Sequence, residues 1–179
     1  MADTTGKPAT DRVVVRFLDD DGTFPNNAVL PLVIYRDALT LPPDDPASGF
    51  EEAFQEHGWR GGGWRNGIFH YHHYHSNTHE VLGVYSGEAR VQLGGDHGLV
   101  TTVGVGDVIM IPAGVSHKNL GPSHDFAVVG AYPTGYSPDL CHGEPGERPR
   151  ADRAIKAVGL PQADPVYGAA GPLLRHWAG

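Results

Sequence analysis

The sequence predicts an all-β protein, a single small β-barrel with one short N-terminal helix and irregular N- and C-terminal arms. Two observations support this prediction. Glycine (25) and proline (15) are abundant among the 179 residues, yet they show no collagen-like period. Between Gly67 and Tyr132, short apolar runs alternate with glycine- and proline-containing turns at even spacing. Such spacing is typical of a β-sandwich or β-barrel, and the chain is long enough for one domain with a proper core.

The N-terminal segment is expected to contain a leader and two strands. Residues 1–11 are polar and predict a disordered leader. Arg12–Leu18 alternates well enough to predict a strand, and Ala28–Arg36 is apolar and β-branched, which predicts a second one. Pro31 interrupts this second strand. Because proline cannot donate a hydrogen bond to a strand ladder, the strand is predicted to lie at a sheet edge.

One helix is predicted, over Asp45–Trp59. Asp45 and Pro46 form a typical helix start, an N-cap followed by proline in the first turn. An apolar stripe follows, formed by Phe50, Phe54 and Trp59. Residues 60–66 are rich in glycine and predict a loop that leads into the barrel.

The barrel itself is expected from about residue 67 to residue 132. Its predicted strands cover residues 68–75, 79–86, 88–94, 99–103, 107–111, 116–120 and 125–132. The remainder, 133–179, is predicted to be a mostly irregular arm with a weak helical pattern near 151–158. The expected organisation is therefore one domain over 12–179, with N-terminal strands and a helix over 12–60 preceding the barrel core.

Composition excludes several function classes. The net charge of −8 without a basic run argues against nucleic acid as a partner, because phosphate binding needs clustered Lys and Arg. No apolar run approaches the roughly 20 residues that span a bilayer, and the polar N-terminus lacks a signal-peptide region, so a cytoplasmic protein is expected. The single cysteine, Cys141, excludes an intrachain disulfide framework and a thiolate metal cluster.

Histidine is the strongest compositional anomaly, with 11 in the chain and five between residues 70 and 79. In an extended strand, residues two apart point to the same face, so His73 and His75 project together. Glu80 follows after a gap long enough for a short bend that returns its carboxylate toward the pair. His117, after a Pro-Ala-Gly turn, is the best candidate for a further ligand.

These residues carry a family resemblance. The spacing Gly67-x5-His73-x-His75-x4-Glu80-x6-Gly87 resembles the first motif of the cupins, and Gly106-x5-Pro112-x-Gly114-x2-His117 resembles the second. The second motif expects asparagine four residues after its histidine, where this chain has Gly121. The nearest asparagine, Asn119, either lines the pocket or satisfies a turn.

Within the cupins, the chain resembles the YjlB-like group of single-domain bacterial proteins over roughly residues 14–177. Matching text includes DDGTFPNN from Asp20, YHHYHS from Tyr71 and HEVLGVYSG from His79. The resemblance implies a cupin fold, also called a double-stranded β-helix or jelly-roll barrel. It also implies one divalent transition metal on His73, His75, Glu80 and His117, and it implies no settled reaction.

Several site assignments stay open at this point. Spacing alone also allows His79 as a ligand, and the family pattern favours Glu80. Tyr71 shares the face of the two histidines with Phe69 and is either an acid–base group or a cavity wall. Arg65 and its neighbour Asn66 either meet an anionic substrate group or lie in a surface ion pair.

Three imidazoles and one carboxylate suit Fe(II), Mn(II), Co(II), Ni(II) or Zn(II), whereas calcium and magnesium prefer oxygen ligands. The expected function is a metal-dependent small-molecule enzyme of the dioxygenase or oxidoreductase type. The alternatives are a non-redox isomerase, lyase or hydrolase, and a ligand-binding or sensing barrel. A homodimer is also expected, because Ala28–Arg36 would pair well at a barrel edge.

Overall fold

A computed structural model describes residues 12–60 and 64–178, so the predicted leader, residues 1–11, lies outside the described residues. The strands are β1 Val13–Leu18, β2 Asn27–Tyr35, β3 Trp59–Arg60, β4 Arg65–Asn66, β5 Glu80–Ser86, β6 Glu88–Leu93, β7 Leu99–Gly104, β8 Val108–Ile111, β9 His117–Pro122 and β10 Ala127–Pro133. The helices are α1 Pro46–Glu56, α2 Arg150–Ala157 and α3 Pro172–Trp177. Most elements are strands, which confirms the all-β prediction.

Two antiparallel sheets form the barrel. The larger has the strand order β1-β2-β8-β5-β10-β3, with β4 also paired to β10, and the smaller has the order β7-β6-β9. A buried apolar core contains side chains from strands of both sheets, including Ile34, Leu82, Val91, Val103, Ile109 and Val128. Removal of this apolar surface from water stabilises the barrel.

The outer face of the large sheet is covered as well. Phe50 and Phe54 of α1 and Leu173 of α3 pack in a second buried cluster against Val81 and other outward residues of the sheet. The ring of Phe50 lies so close to Gly83 that an added Cβ there would be 2.6 Å from the ring. Strand β5, which begins the candidate site, is therefore buried on both faces.

The sequence prediction for β2 is correct for one half of the strand and wrong for the other. Among the described residues, the half that contains Pro31 pairs with β1 alone, whereas Val33–Tyr35 pair with β1 on one side and with β8 on the other. Leu18 pairs with Asn27, but Arg16 pairs with Leu32, so the β1–β2 ladder is irregular around Pro31. Proline is tolerated inside this strand because the regular pairing is interrupted there.

Two further segments differ from the predictions. Residues 68–75 form no regular strand and make only isolated bridges, His73 with His117 and Tyr74 with Cys141. The helical pattern near 151–158 agrees with α2, whereas α3 was not predicted. None of the helices in the described part of the chain is long and apolar enough to cross a membrane.

Candidate metal centre

Three histidines meet inside the barrel. His73, His75 and His117 are all buried, and one ring nitrogen of each lies within 4.8 Å of the others. The backbone brings two of them together, because the His117 N–H donates to the His73 carbonyl at 2.9 Å and the His73 N–H donates to the His117 carbonyl at 3.3 Å. The irregular segment before β5 is thereby joined to the start of β9.

The hydrogen bonds of the three rings fix which nitrogen faces the centre. Each Nδ1 lies near a backbone carbonyl, at 3.3 Å for His73 and Tyr71, 2.5 Å for His75 and Asp139, and 3.1 Å for His117 and Val115. A carbonyl only accepts, so each Nδ1 carries the hydrogen and each Nε2 offers a lone pair. Metal-binding histidines are typically oriented in this way.

Glu80 completes the cluster. Its Oε2 lies 3.1 Å from His117 Nε2 and 3.4 Å from His75 Nε2, and its side chain is almost fully buried. The other oxygen, Oε1, accepts a hydrogen bond of 2.9 Å from the Tyr132 hydroxyl. Oε2 accepts no hydrogen bond from the described residues. When the imidazoles are neutral, this oxygen therefore faces the lone pairs of the histidine Nε2 atoms. A cation between these atoms would satisfy all of them, so the residues fit a metal ion.

The electrostatics agree with a site that attracts positive charge. Burial raises the pKa of Glu80, but the neighbouring imidazoles of His75 and His117, with Nε2 atoms 3.4 and 3.1 Å from Oε2, outweigh it and hold that pKa well below the usual range. Burial lowers the pKa of His75, yet the Glu80 carboxylate and the Asp139 carbonyl raise it overall. Burial and the neighbouring His117 lower the pKa of His73 to about 3. Glu80 is thus ionised and His73 is neutral at ordinary pH.

A cavity of about 180 Å³ lies beside the cluster. It is lined by the four clustered side chains together with Trp64, Gly67, Ile68, Phe69, Leu82, Tyr132, Pro138, Asp139 and Leu140. The last three residues come from the C-terminal arm, which therefore forms one wall of the cavity.

The arm segment 137–141, here called the strap, is attached firmly to the segment that carries the histidines. The Asp139 carboxylate accepts hydrogen bonds from the Ser76 N–H, at 2.7 Å, and from the Ser76 hydroxyl. Asn77 donates to the Ser137 carbonyl at 2.9 Å and accepts from the Asp139 N–H at 3.0 Å. The strap thereby holds the carbonyl that orients His75.

Tyr71 and Phe69 have different positions. Phe69 lines the cavity, as expected from its shared face with the histidines. Tyr71 does not line it, and its ring stacks on Phe69 with 5.0 Å between the ring centroids. The Tyr71 side chain is 38% exposed. The Tyr71 ring therefore lies outside the cavity lining, although it meets the His73 ring edge to face with 5.9 Å between the centroids.

Arg65 does not reach the site, which corrects its assignment as a substrate-binding residue. Its guanidinium donates to the carboxylates of Asp45 and Glu51 at 2.7 to 3.1 Å, on the exposed side of α1. Asp45 occupies the helix N-cap position, yet its side chain makes no capping bond. Asn66 is exposed and lies outside the cavity as well.

Asn119 and His79 also lie outside the cavity. The Asn119 side-chain amide donates to the Ile68 carbonyl, and its backbone N–H donates to the Phe69 carbonyl at 2.8 Å, so it pins a cavity-lining segment instead of facing a substrate. His79 Nδ1 accepts a hydrogen bond from the Ala113 N–H at 2.9 Å. The His79 ring packs on Trp177, with 4.6 Å between centroids, away from the three-histidine cluster.

Three contributors escaped the sequence reasoning. Tyr132 ends a predicted strand, and Leu82 lies two residues after Glu80 on the same face, so strand alternation was a usable signal for both. The strap carried no signal, because its contacts join residues that are about 60 positions apart in irregular segments.

The fold and the cluster define a β-barrel protein with a buried group of three histidines and one carboxylate. Residues 64–129 match the cupin domain family. The chain is also 45% identical over 161 residues to the YjlB protein of Bacillus subtilis, covering 90% of this chain and 94% of that protein. This chain belongs to the cupin family, in its YjlB-like group.

Two of the solved structures that match the chain are the following. Procruciferin, an 11S globulin from Brassica napus, is 18% identical with a TM-score of 0.36; the match covers 72% of this chain and 26% of that chain. A double-stranded β-helix protein from Klebsiella pneumoniae is 17% identical with a TM-score of 0.32, and the match covers 76% of this chain and 85% of that chain.

Proposed function

We propose that this cupin binds one divalent transition metal ion per chain, on His73, His75, Glu80 and His117, and is an enzyme that acts on a small molecule. The observation that carries the proposal is the convergence of three Nε2 lone pairs with the free oxygen of a buried, ionised carboxylate. Three neutral imidazoles and a carboxylate suit Fe, Mn, Ni, Co or Zn, since they are borderline in softness.

The metal would supply Lewis acidity and, for Fe or Mn, access to dioxygen chemistry. The chain's own residues prepare the site. Tyr132 holds one oxygen of Glu80, so the other oxygen faces the histidines. The Asp139 carbonyl holds His75 in the required tautomer. Apolar cavity walls, among them Trp64 and Leu82, restrict the entry of water.

We place the reaction in the oxidoreductase class, of the dioxygenase type. Four protein ligands leave open positions on an octahedral ion, where a substrate and dioxygen can bind side by side. A largely apolar cavity also suits oxygen chemistry, because its walls limit the contact of bulk water with reactive species.

The test begins with metal analysis of protein purified without a histidine tag, which we expect to contain about one transition metal ion per chain. Oxygen uptake by the anaerobically Fe(II)-loaded protein is then measured with a panel of diketones, thiols and catechols. The matched control is His117→Ala, which we expect to lose both the metal and the uptake.

Three other results would change or refute the proposal. Turnover under strict anaerobiosis with Zn(II) or Ni(II) would support a non-redox isomerase, lyase or hydrolase. A co-purified ligand that is released unchanged after incubation with metal and oxygen would support a binding or sensing role. Protein that takes up no metal under any loading condition would refute the proposal altogether.

A further inference from the structure

The cavity beside the candidate metal centre has walls that are almost entirely apolar. They are formed by the side chains of Trp64, Ile68, Phe69, Leu82, Pro138 and Leu140. The polar side chains that line it are the four candidate ligands, Tyr132 and Asp139. Within residues 12–60 and 64–178, no lysine or arginine lines the cavity.

Asp139 makes the cavity still less suited to an anion. Its carboxylate is occupied by the N–H and the hydroxyl of Ser76, so it is not free to bind a substrate. Its carboxylate stands at one wall, and no lysine or arginine of the described residues lines the cavity to balance it. An anionic substrate group could therefore be compensated only at the metal.

The walls are also held in place. The Trp64 ring lies directly on the backbone of Gly130, where an added Cβ would be 2.2 Å from Trp64 Cε3. The Gly130 N–H donates to the Trp64 carbonyl at 3.1 Å. At the opening, Phe69 and Leu140 are 41% and 47% exposed, so a substrate would meet apolar side chains on its way in.

We propose that this site accepts a small molecule that is apolar except for one group that chelates the metal, and that it discriminates against dicarboxylates of the same size. This inference rests on the proposed function. A divalent ion and the Glu80 carboxylate together carry a single positive charge, so one singly negative chelating group leaves the centre neutral. Any further negative charge would be buried against apolar walls without a partner, which is strongly unfavourable.

A pair of nearly isosteric chelators tests the inference. Pentane-2,4-dione and malonate both chelate through two oxygens, but the dione has methyl groups where malonate has charged oxygens. Binding of each to the Co(II)-loaded full chain is measured by calorimetry and by the change in Co(II) visible absorption. Each dissociation constant is divided by the value for free Co(II) in the same buffer. We expect this normalised ratio to favour the dione by at least about tenfold.

Leu140→Arg supplies a converse test, because it places a cation at the opening on a side chain that is already half exposed. We expect this variant to shift the preference toward malonate by about tenfold. The matched control is Leu120→Arg, since Leu120 is 42% exposed and does not line the cavity. The control should retain the preference for the dione.

The outcomes separate the two claims. Equal binding, a preference for malonate, or no binding of either chelator by protein that holds one Co(II) per chain would overturn the inference and leave the metal site standing. A chain that takes up neither Co(II) nor any other transition metal ion would overturn the proposed function, and this inference with it.

Discussion

The Tyr132 hydroxyl donates a hydrogen bond of 2.9 Å to Oε1 of Glu80, while Oε2 of the same carboxylate faces the imidazoles. The Tyr132 ring also meets the His75 ring edge to face, with 5.7 Å between centroids. Burial and the adjacent Glu80 charge raise the pKa of Tyr132, so its hydroxyl remains a donor at any ordinary pH. One side chain therefore sets the orientation of the carboxylate within the cluster.

Tyr132→Phe is expected to weaken metal binding by about tenfold. The Glu80 carboxylate loses the hydroxyl that donates to it, while the phenylalanine ring keeps nearly the same shape as the tyrosine ring. The affinity is measured by competition with a metal chelator at fixed pH. Tyr136→Phe is the matched control, since Tyr136 is exposed and does not line the cavity. Equal affinities for the two variants would contradict the role of Tyr132.

Glu80→Gln is expected to lower metal affinity by more than about 100-fold, beyond the usual loss for a residue that only orients a ligand. The variant keeps the size of the side chain but removes its charge. His79→Asn serves as the comparison, because an asparagine oxygen can still accept from the Ala113 N–H. Metal analysis should show one ion per chain in His79→Asn. Loss of the metal in that variant alone would make His79 the ligand.

Removal of the metal is expected to lower the thermal midpoint of unfolding. A ligand that binds only the folded state stabilises it by about 2.7 kcal/mol when its free concentration is 100 times the dissociation constant. Scanning calorimetry before and after dialysis against a chelator measures the difference. His75→Ala should show no such difference, and a metal-dependent midpoint in that variant would place the ion elsewhere.

The strap can be followed through Cys141, its last residue, which is buried. Burial, with the nearby charges of Asp139 and Glu147, raises the pKa of the Cys141 thiol to about 11. The reactive thiolate is therefore scarce at neutral pH and increases about tenfold per pH unit up to that value. Alkylation by iodoacetamide at pH 8 should be at least about 100-fold slower in the folded protein than in urea.

Asp139→Ala should raise the alkylation rate of the folded protein, because the strap loses its attachment to Ser76. Intact-mass spectrometry over time measures both rates. Labelling of the unaltered folded chain at the rate seen in urea would show that the strap opens freely in solution.

The predicted homodimer would form through β1, because among residues 12–60 and 64–178 this strand pairs with β2 alone. Phe17 on this strand is 62% exposed, and two copies of an apolar edge strand can pair around a two-fold axis. Light scattering should give a dimer mass for the unaltered chain and a monomer mass for Phe17→Asp. Val105→Asp is the control, since Val105 is similarly exposed and lies in the turn between β7 and β8. A monomer mass for the unaltered chain would contradict the predicted homodimer.

Most of the predictions that agree with the structure came from the local periodicity of apolar and polar residues. The alternation that places His73 and His75 on one face survives even though their segment is not a regular strand. The order and approximate bounds of the barrel strands follow from short apolar runs and the glycines between them. The helix stripe also held for Phe50 and Phe54, whereas Trp59 lies beyond the helix in β3 and is still buried.

Properties that depend on distant pairings were beyond the sequence. The rule about proline assigned the whole of β2 to an edge, but it holds only for the half that contains Pro31, since Val33–Tyr35 lie between β1 and β8. Arg65 stood close to the site in sequence, yet the carboxylates of Asp45 and Glu51 attract it to α1. The packing of the strap against Ser76 had no local pattern at all.

The strap has a consequence for how this protein is made. All four candidate ligands and every barrel strand precede residue 134, but the carbonyl that orients His75 belongs to Asp139. During synthesis the barrel can pair its strands before that residue has left the ribosome. We therefore expect the ion to be captured late, after the C-terminal arm emerges. A nascent chain in which residue 133 has left the ribosome and Asp139 has not would expose a ligand set whose His75 is free to rotate.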